Sequence, residues 1–232
     1  MDSIIFLSHE AFPTTTMYNQ IMIDPILREI GRIGTFLKQN YSETAVISLA
    51  TLFLILSEYH SIGARWSDAL LFYALLPLLT IIFLLRKNPL DFGLRFGKFK
   101  TWRIHVAVVC LVALPILFIA SRFSSLEEYY VVQNVNLPRY FIKAVIYQAS
   151  WEFIFRGFLL FGLKEKFREG SILIQMIPFL FMHLGKPEIE VISTIPMGLY
   201  FGYVAYHGNS YWPAFFIHLF INISFRIMVN WL

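Results

Sequence analysis

The sequence predicts an all-α protein, a polytopic transmembrane helical bundle of about seven spans with an N-terminal interfacial helix. Three observations predict it. Of the 232 residues, 57% are hydrophobic and only 15% are charged, where soluble domains carry about a quarter charged residues. The charges are bunched between long apolar runs. Several of those runs approach the ~20 residues that a helix needs to cross a bilayer. A single cysteine, Cys110, excludes a disulfide framework.

The elements follow in chain order. The opening "MDSIIFLSHEAF" starts acidic and has a short apolar run, so no signal peptide is expected. Residues 20–39 place Ile26, Ile30, Ile33 and Leu37 at helical spacing, with Arg28, Arg32 and Lys38 on other faces. That pattern suits a helix lying in the membrane interface, or an amphipathic helix packed on the bundle. The spans are expected at 43–59, 66–85, 102–121, 139–163, 171–185, 189–206 and 211–231. The chain is thereby divided into an interfacial segment 1–40, accessory helices 41–138 and a core 139–232, all one membrane domain.

Loop charge sets the expected orientation. Of the 19 Lys and Arg residues, twelve fall on the side that holds Arg28, Arg86, Lys98 and Lys164, and five on the side that holds Arg65, Arg122 and Lys186. This asymmetry predicts a cytoplasmic N-terminus. The net charge of +4 is accounted for by these loops, and nucleic acid is not an expected partner.

Ionisable groups inside a bilayer cost at least ~2.5–3.5 kcal/mol each, and they usually face a bundle interior or a wet cavity. The fourth span carries Gln148, Glu152 and Arg156 at i, i+4 and i+8, one stripe on one helical face. His183 closes the fifth span. The last span repeats the spacing with His218, Asn222 and Arg226. At 1.5 Å per residue, Glu152 lies roughly 18 Å above Lys164, His183 roughly 18 Å from Ser171, and Asn222 roughly 16 Å from Tyr211. His218 comes out nearer the surface, roughly 10 Å from Tyr211. Polar groups from separate helices thus meet at similar depth. A structural ion pair and a packed core histidine are the plain alternatives for Glu152–Arg156 and His183. Glu188 and Glu190 read as solvated loop acids, with Glu188 close enough in sequence to reach His183.

A glutamate and a histidine can hold and deprotonate water, and a second histidine with an asparagine amide can donate to the resulting oxyanion. Two histidines and a carboxylate are equally a zinc ligand set with an open position. At this level the sequence leaves both chemistries open: no cofactor for a glutamic-type site, or zinc on Glu152, His183 and His218.

The arrangement resembles the CPBP intramembrane proteases, which include the type II CAAX prenyl endopeptidases and bacteriocin-processing and immunity proteins. The family motifs EExxxR, FxxxH and HxxxN correspond to "WEFIFR" (Trp151–Arg156), "FLFMH" (Phe179–His183) and "HLFIN" (His218–Asn222), in order and on successive helices. "NPLDFGL", Asn88–Leu94, resembles the loop that often precedes the core in bacterial members. The resemblance implies an endopeptidase, and for this chain the expected roles are Glu152 and His183 activating water, His218 and Asn222 stabilising the oxyanion, and Arg156 orienting Glu152. Its implied partners are membrane lipid and a peptide or membrane-protein substrate, lipidated in the CAAX case. A bacterial plasma membrane is its expected location.

The family's doubled glutamate is Trp151–Glu152 here, and the resemblance assigns water activation to the first acid, the one that is missing. Successive helical residues point about 100° apart. Three outcomes remain open: Glu152 takes the role, Glu188 swings in, or the protein is a non-catalytic scaffold or immunity factor. A proton-coupled transporter is a weaker reading, since the sequence shows no internal repeat.

Overall fold

The computed structural model describes residues 23–132 and 136–232. The segment 1–22 lies outside the described residues, and with it His9, the signal-peptide expectation and the first residues of the expected 20–39 helix. Every regular element among the described residues is helical. The chain separates into two compact units, Met1–Thr44 and Ala45–Leu232.

In the first unit, α1 (Asp24–Gln39) starts with a proline in its first turn, where the missing N–H costs nothing. Asp24 at one end and Lys38 at the other complement the helix dipole. None of its residues is buried, and Ile26, Ile30, Ile33 and Leu37 are all exposed. The helix α2 (Tyr41–Tyr59) begins in this unit.

In the second unit, α2 continues and buries Val46, Ala50, Phe53 and Leu54. The next helix, α3 (Arg65–Leu84), carries Pro77, which cannot donate to the preceding turn. Wide π-turns at Leu70–Leu75 and Thr80–Leu84 flank that site. The helix α4 (Phe99–Ala120) buries only Trp102, while Ile104, Val108, Leu111 and Val112 are exposed. In water that apolar face would be a liability; against lipid chains it is the proper solvent-facing surface. A short helix, α5 (Ser124–Tyr130), leads to α6, residues 137–167. It is built of Leu137–Glu152, a π-helical stretch Phe153–Leu159, and Leu160–Phe167. Then come α7 (Gly170–Phe181), α8 (Glu188–Gly208) and α9 (Trp212–Trp231). Asn209, in the left-handed region at φ 51°, ends α8.

The middle of α6 is the axis of this unit. Every residue from Ser150 to Leu160 is buried, and α3, α7, α8 and α9 pack around it. It is a core helix, enclosed on all sides and apolar there except at Ser150, Glu152, Arg156 and Gly157. The loop Asn88–Leu94 locks onto it. Asn88 caps the turn Pro89–Asp91 by accepting from the Leu90 N–H at 3.0 Å. Phe92 then inserts against Phe158, and Gly93 takes φ 81° so that its carbonyl accepts from the Tyr211 N–H at 2.9 Å.

Four helices, α2, α3, α4 and α9, are long and apolar enough to cross a membrane, where the hydropathy of the sequence suggests seven spans. The other three differ for identifiable reasons. The helix α6 carries Glu152, Arg156 and basic ends. With 12 residues, α7 rises about 18 Å, short of a ~30 Å hydrocarbon core. The helix α8 opens on Glu188 and Glu190 and carries Ser, Thr and Tyr side chains.

Close approach of α7 and α8 rests on Gly198 and Gly202, four residues apart. A Cβ at Gly202 would lie 2.6 Å from Gln175 Nε2 and 2.9 Å from Ile172 Cγ2. Gly202→Val is expected to destabilise the folded protein by about 1–3 kcal/mol, measured as a lower unfolding midpoint in detergent. An unchanged midpoint would refute this packing.

Candidate active site

The i, i+4, i+8 stripe on α6 and the matching stripe on α9 face each other. Glu152 and Arg156 are both 0% exposed. Within α6, Arg156 Nη1 lies 3.0 Å from Glu152 Oε2 and donates to Oε1 at 3.2 Å. The guanidinium is held from other directions as well: its carbon sits 3.9 Å from the centre of the Phe179 ring and 5.1 Å from that of Phe201. Nη2 donates to the Gly198 carbonyl at 3.4 Å. Rings on α7 and α8 thus supply a desolvated cation–π cage, in which such contacts are strongest. The carboxylate is thereby kept beside a fixed positive charge.

Across the helix interface, His218 Nδ1 donates to Glu152 Oε1 at 2.5 Å. One turn away, Asn222 Nδ2 donates to Gln148 Oε1 at 2.7 Å. His183 lies two residues beyond the end of α7 rather than within a span, in the turn that leads to α8. Its Nδ1 donates to the Phe179 carbonyl at 2.7 Å. With each Nδ1 committed as a donor, the neutral form of each ring leaves Nε2 as its acceptor.

His183, His218 and Asn222 line one cavity of about 370 Å³, whose remaining wall is mainly apolar and comes from α4, α5, α7, α8 and α9. Glu152 and Arg156 stand behind that wall. The structure therefore brings Glu152, Arg156, His218 and Asn222 together, and sets His183 in the same cavity. The one pairing it rearranges is the carboxylate's. Glu152 bonds to His218, and no hydrogen bond joins it to His183.

Trp151 explains the rearrangement. It is 5% exposed, and its ring packs on Tyr73 and Tyr147 at 5.5 and 5.6 Å and edge-on to His183 at 5.7 Å between centroids. Adjacent helical positions diverge by about 100°, so position 151 faces His183 while position 152 faces His218. Glu152 has not turned into its neighbour's place. Glu188 is exposed at the start of α8 and does not line the cavity.

Glu190 differs from its reading as a solvated acid. It lines the cavity, where the Tyr130 hydroxyl lies 2.6 and 2.8 Å from its two oxygens and Lys186 Nζ is 2.7 Å away. Burial, and then the Glu190 carboxylate, push the Tyr130 phenol above its ordinary value, so it remains a donor. The signal for this placement was periodicity: Glu190, Thr194, Met197 and Phe201 share one face of α8 and all line the cavity. Tyr130, which comes from α5, had no such signal.

The donor set was also tested against zinc. Among the described residues, no three His, Cys, Asp or Glu side chains gather as a metal-ligand group. Glu152 is committed to Arg156 and His218, so these residues do not offer the three converging ligands of a catalytic zinc site.

Fold and site together define a membrane-embedded helical bundle that encloses a carboxylate, a guanidinium and two imidazoles around a largely apolar cavity. Residues 133–224 match the family model of type II CAAX prenyl endopeptidase Rce1-like proteins. The match covers under half of the chain, and all three motif segments fall inside it. The protein is thus an integral membrane protein that is similar to a protease family over the matched segment. No curated protein and no solved structure matches the chain.

Proposed function

We propose that the protein is an intramembrane endopeptidase in which His218, oriented by Glu152, is the general base. The observation that carries this reading is the 2.5 Å contact between Glu152 Oε1 and His218 Nδ1. A buried carboxylate on Nδ1–H fixes the tautomer and stabilises the imidazolium that forms when Nε2 takes a proton. Arg156 holds that carboxylate in place.

In the proposed reaction, water in the cavity donates one hydrogen bond to His218 Nε2 and one to His183 Nε2. As its oxygen attacks the peptide carbonyl, one proton passes to His218. The second N–H of the Asn222 amide donates to the oxyanion. When the tetrahedral intermediate collapses, the C–N bond breaks and His218 returns its proton to the leaving nitrogen. This reading moves the carboxylate's partner from His183, as the motif spacing suggested, to His218. A CAAX-type lipidated peptide is the first substrate to try, because the cavity wall is mostly apolar.

A second reading is favoured by Trp151, which fills the position facing His183 with an indole. On that reading the cavity binds a partner without cleaving it. The two are separated with purified protein in lipid vesicles and a farnesylated CAAX reporter peptide. Wild-type protein is expected to cleave it, and His183→Ala to lower the rate at least ~100-fold. An inert wild-type protein that gains cleavage on Trp151→Glu would reverse the assignment in favour of the non-catalytic form.

A further inference from the structure

Two cross-helix contacts between α6 and α9 repeat one turn apart. In the first, Glu152 accepts from His218. In the second, Gln148 accepts from Asn222. In both, the α9 residue lines the cavity and the α6 residue does not. We propose that Gln148 is a positioning residue that fixes the amide of Asn222 at the cavity wall, as Glu152 fixes the ring of His218. This inference rests on the reading of Asn222 as oxyanion donor.

Gln148 is 1% exposed, and its own Nε2 has no hydrogen-bond partner in the protein. A buried amide with an unpaired donor is a costly way to fill space, and an apolar side chain of the same volume would do so better. What the amide adds is a directed acceptor. By engaging one N–H of Asn222 it fixes the plane of that amide, and with it the direction of the second N–H. Among the described residues, the bond to Gln148 is what chooses between the two flipped orientations of the Asn222 amide. Oxyanion donors act through preorganisation, so a donor free to rotate loses most of its effect.

The test compares Q148M and Q148L with wild type in the full-length protein, by two readouts. The first is the side-chain amide NMR signals of Asn222 in protein labelled with ¹⁵N-asparagine, identified by their loss in Asn222→Asp. Both variants are expected to shift these signals while those of Asn88 and Asn209 stay in place. The second is steady-state cleavage of the farnesylated reporter, normalised to folded protein. Here kcat is expected to fall roughly ten- to hundredfold, with KM held within about twofold. A merely structural role would lower the unfolding midpoint and leave kcat per folded molecule unchanged. Unmoved Asn222 signals overturn the inference, as do shifted signals with an unchanged kcat. If the wild-type protein does not cleave the reporter, the protease reading falls. The NMR shift then still decides whether Gln148 holds Asn222.

Discussion

His218→Ala is expected to reduce kcat for the reporter peptide by about 10³- to 10⁴-fold, and Glu152→Gln by a similar factor, with smaller changes in KM. The two act on one unit. Without the imidazole there is no group to take the water's proton; without the carboxylate, the imidazole loses its fixed tautomer and the charge that stabilises its protonated form. The double variant Glu152→Gln/His218→Ala should therefore be scarcely worse than either single one, because residues acting as a unit are strongly non-additive. Single-turnover cleavage in vesicles measures this. Additive losses would show that the two side chains act separately, contrary to their 2.5 Å contact.

Arg156→Met is expected to lower stability by about 3–5 kcal/mol, the cost of leaving one member of a buried ion pair without its partner. Both members are fully buried, so water cannot replace the lost charge. The ring of Phe179, 3.9 Å from the guanidinium carbon, loses its cation as well. The informative comparison is the double variant Glu152→Gln/Arg156→Met. Removing both charges should recover much of the lost stability while cleavage stays abolished. Unfolding in denaturant, followed by tryptophan fluorescence, separates these effects. Equal stability of Arg156→Met and wild type would mean that the pair is solvated after all.

Much of this architecture was legible in the sequence, and the part that was not has a physical cause. The all-helical class followed from hydropathy. The α6 and α9 stripes followed from residues four apart, and facing stripes became facing side chains. Periodicity within one helix, however, fixes directions only relative to that helix. It could not say which histidine Glu152 would meet, because that depends on how α6 is rotated against both α7 and α9. The contacts of Trp151 with Tyr73 of α3 and Phe179 of α7 set that rotation from two distant segments. The cavity's second polar end was hidden for the same reason. Tyr130 reaches Glu190 across sixty residues of chain, and no local pattern announces such a contact. The helix α7 ends at Phe181, ahead of the expected boundary at 185 and close before Gly185 and Pro187, residues that end helices.

The enclosure of α6 has a bearing on biogenesis. From Ser150 to Leu160 it touches only protein, and it carries a charge pair that a lone segment leaving the translocon would have to present to acyl chains, at ~2.5–3.5 kcal/mol for each ion. Its lateral release is therefore disfavoured until a sheath is available. The earlier helix α3 supplies one flank as it emerges, but the aromatic cage for the guanidinium and the imidazole for the carboxylate come from α7, α8 and α9, which are synthesised afterwards. Insertion of this segment is accordingly a collective event that depends on α9, the helix that carries His218.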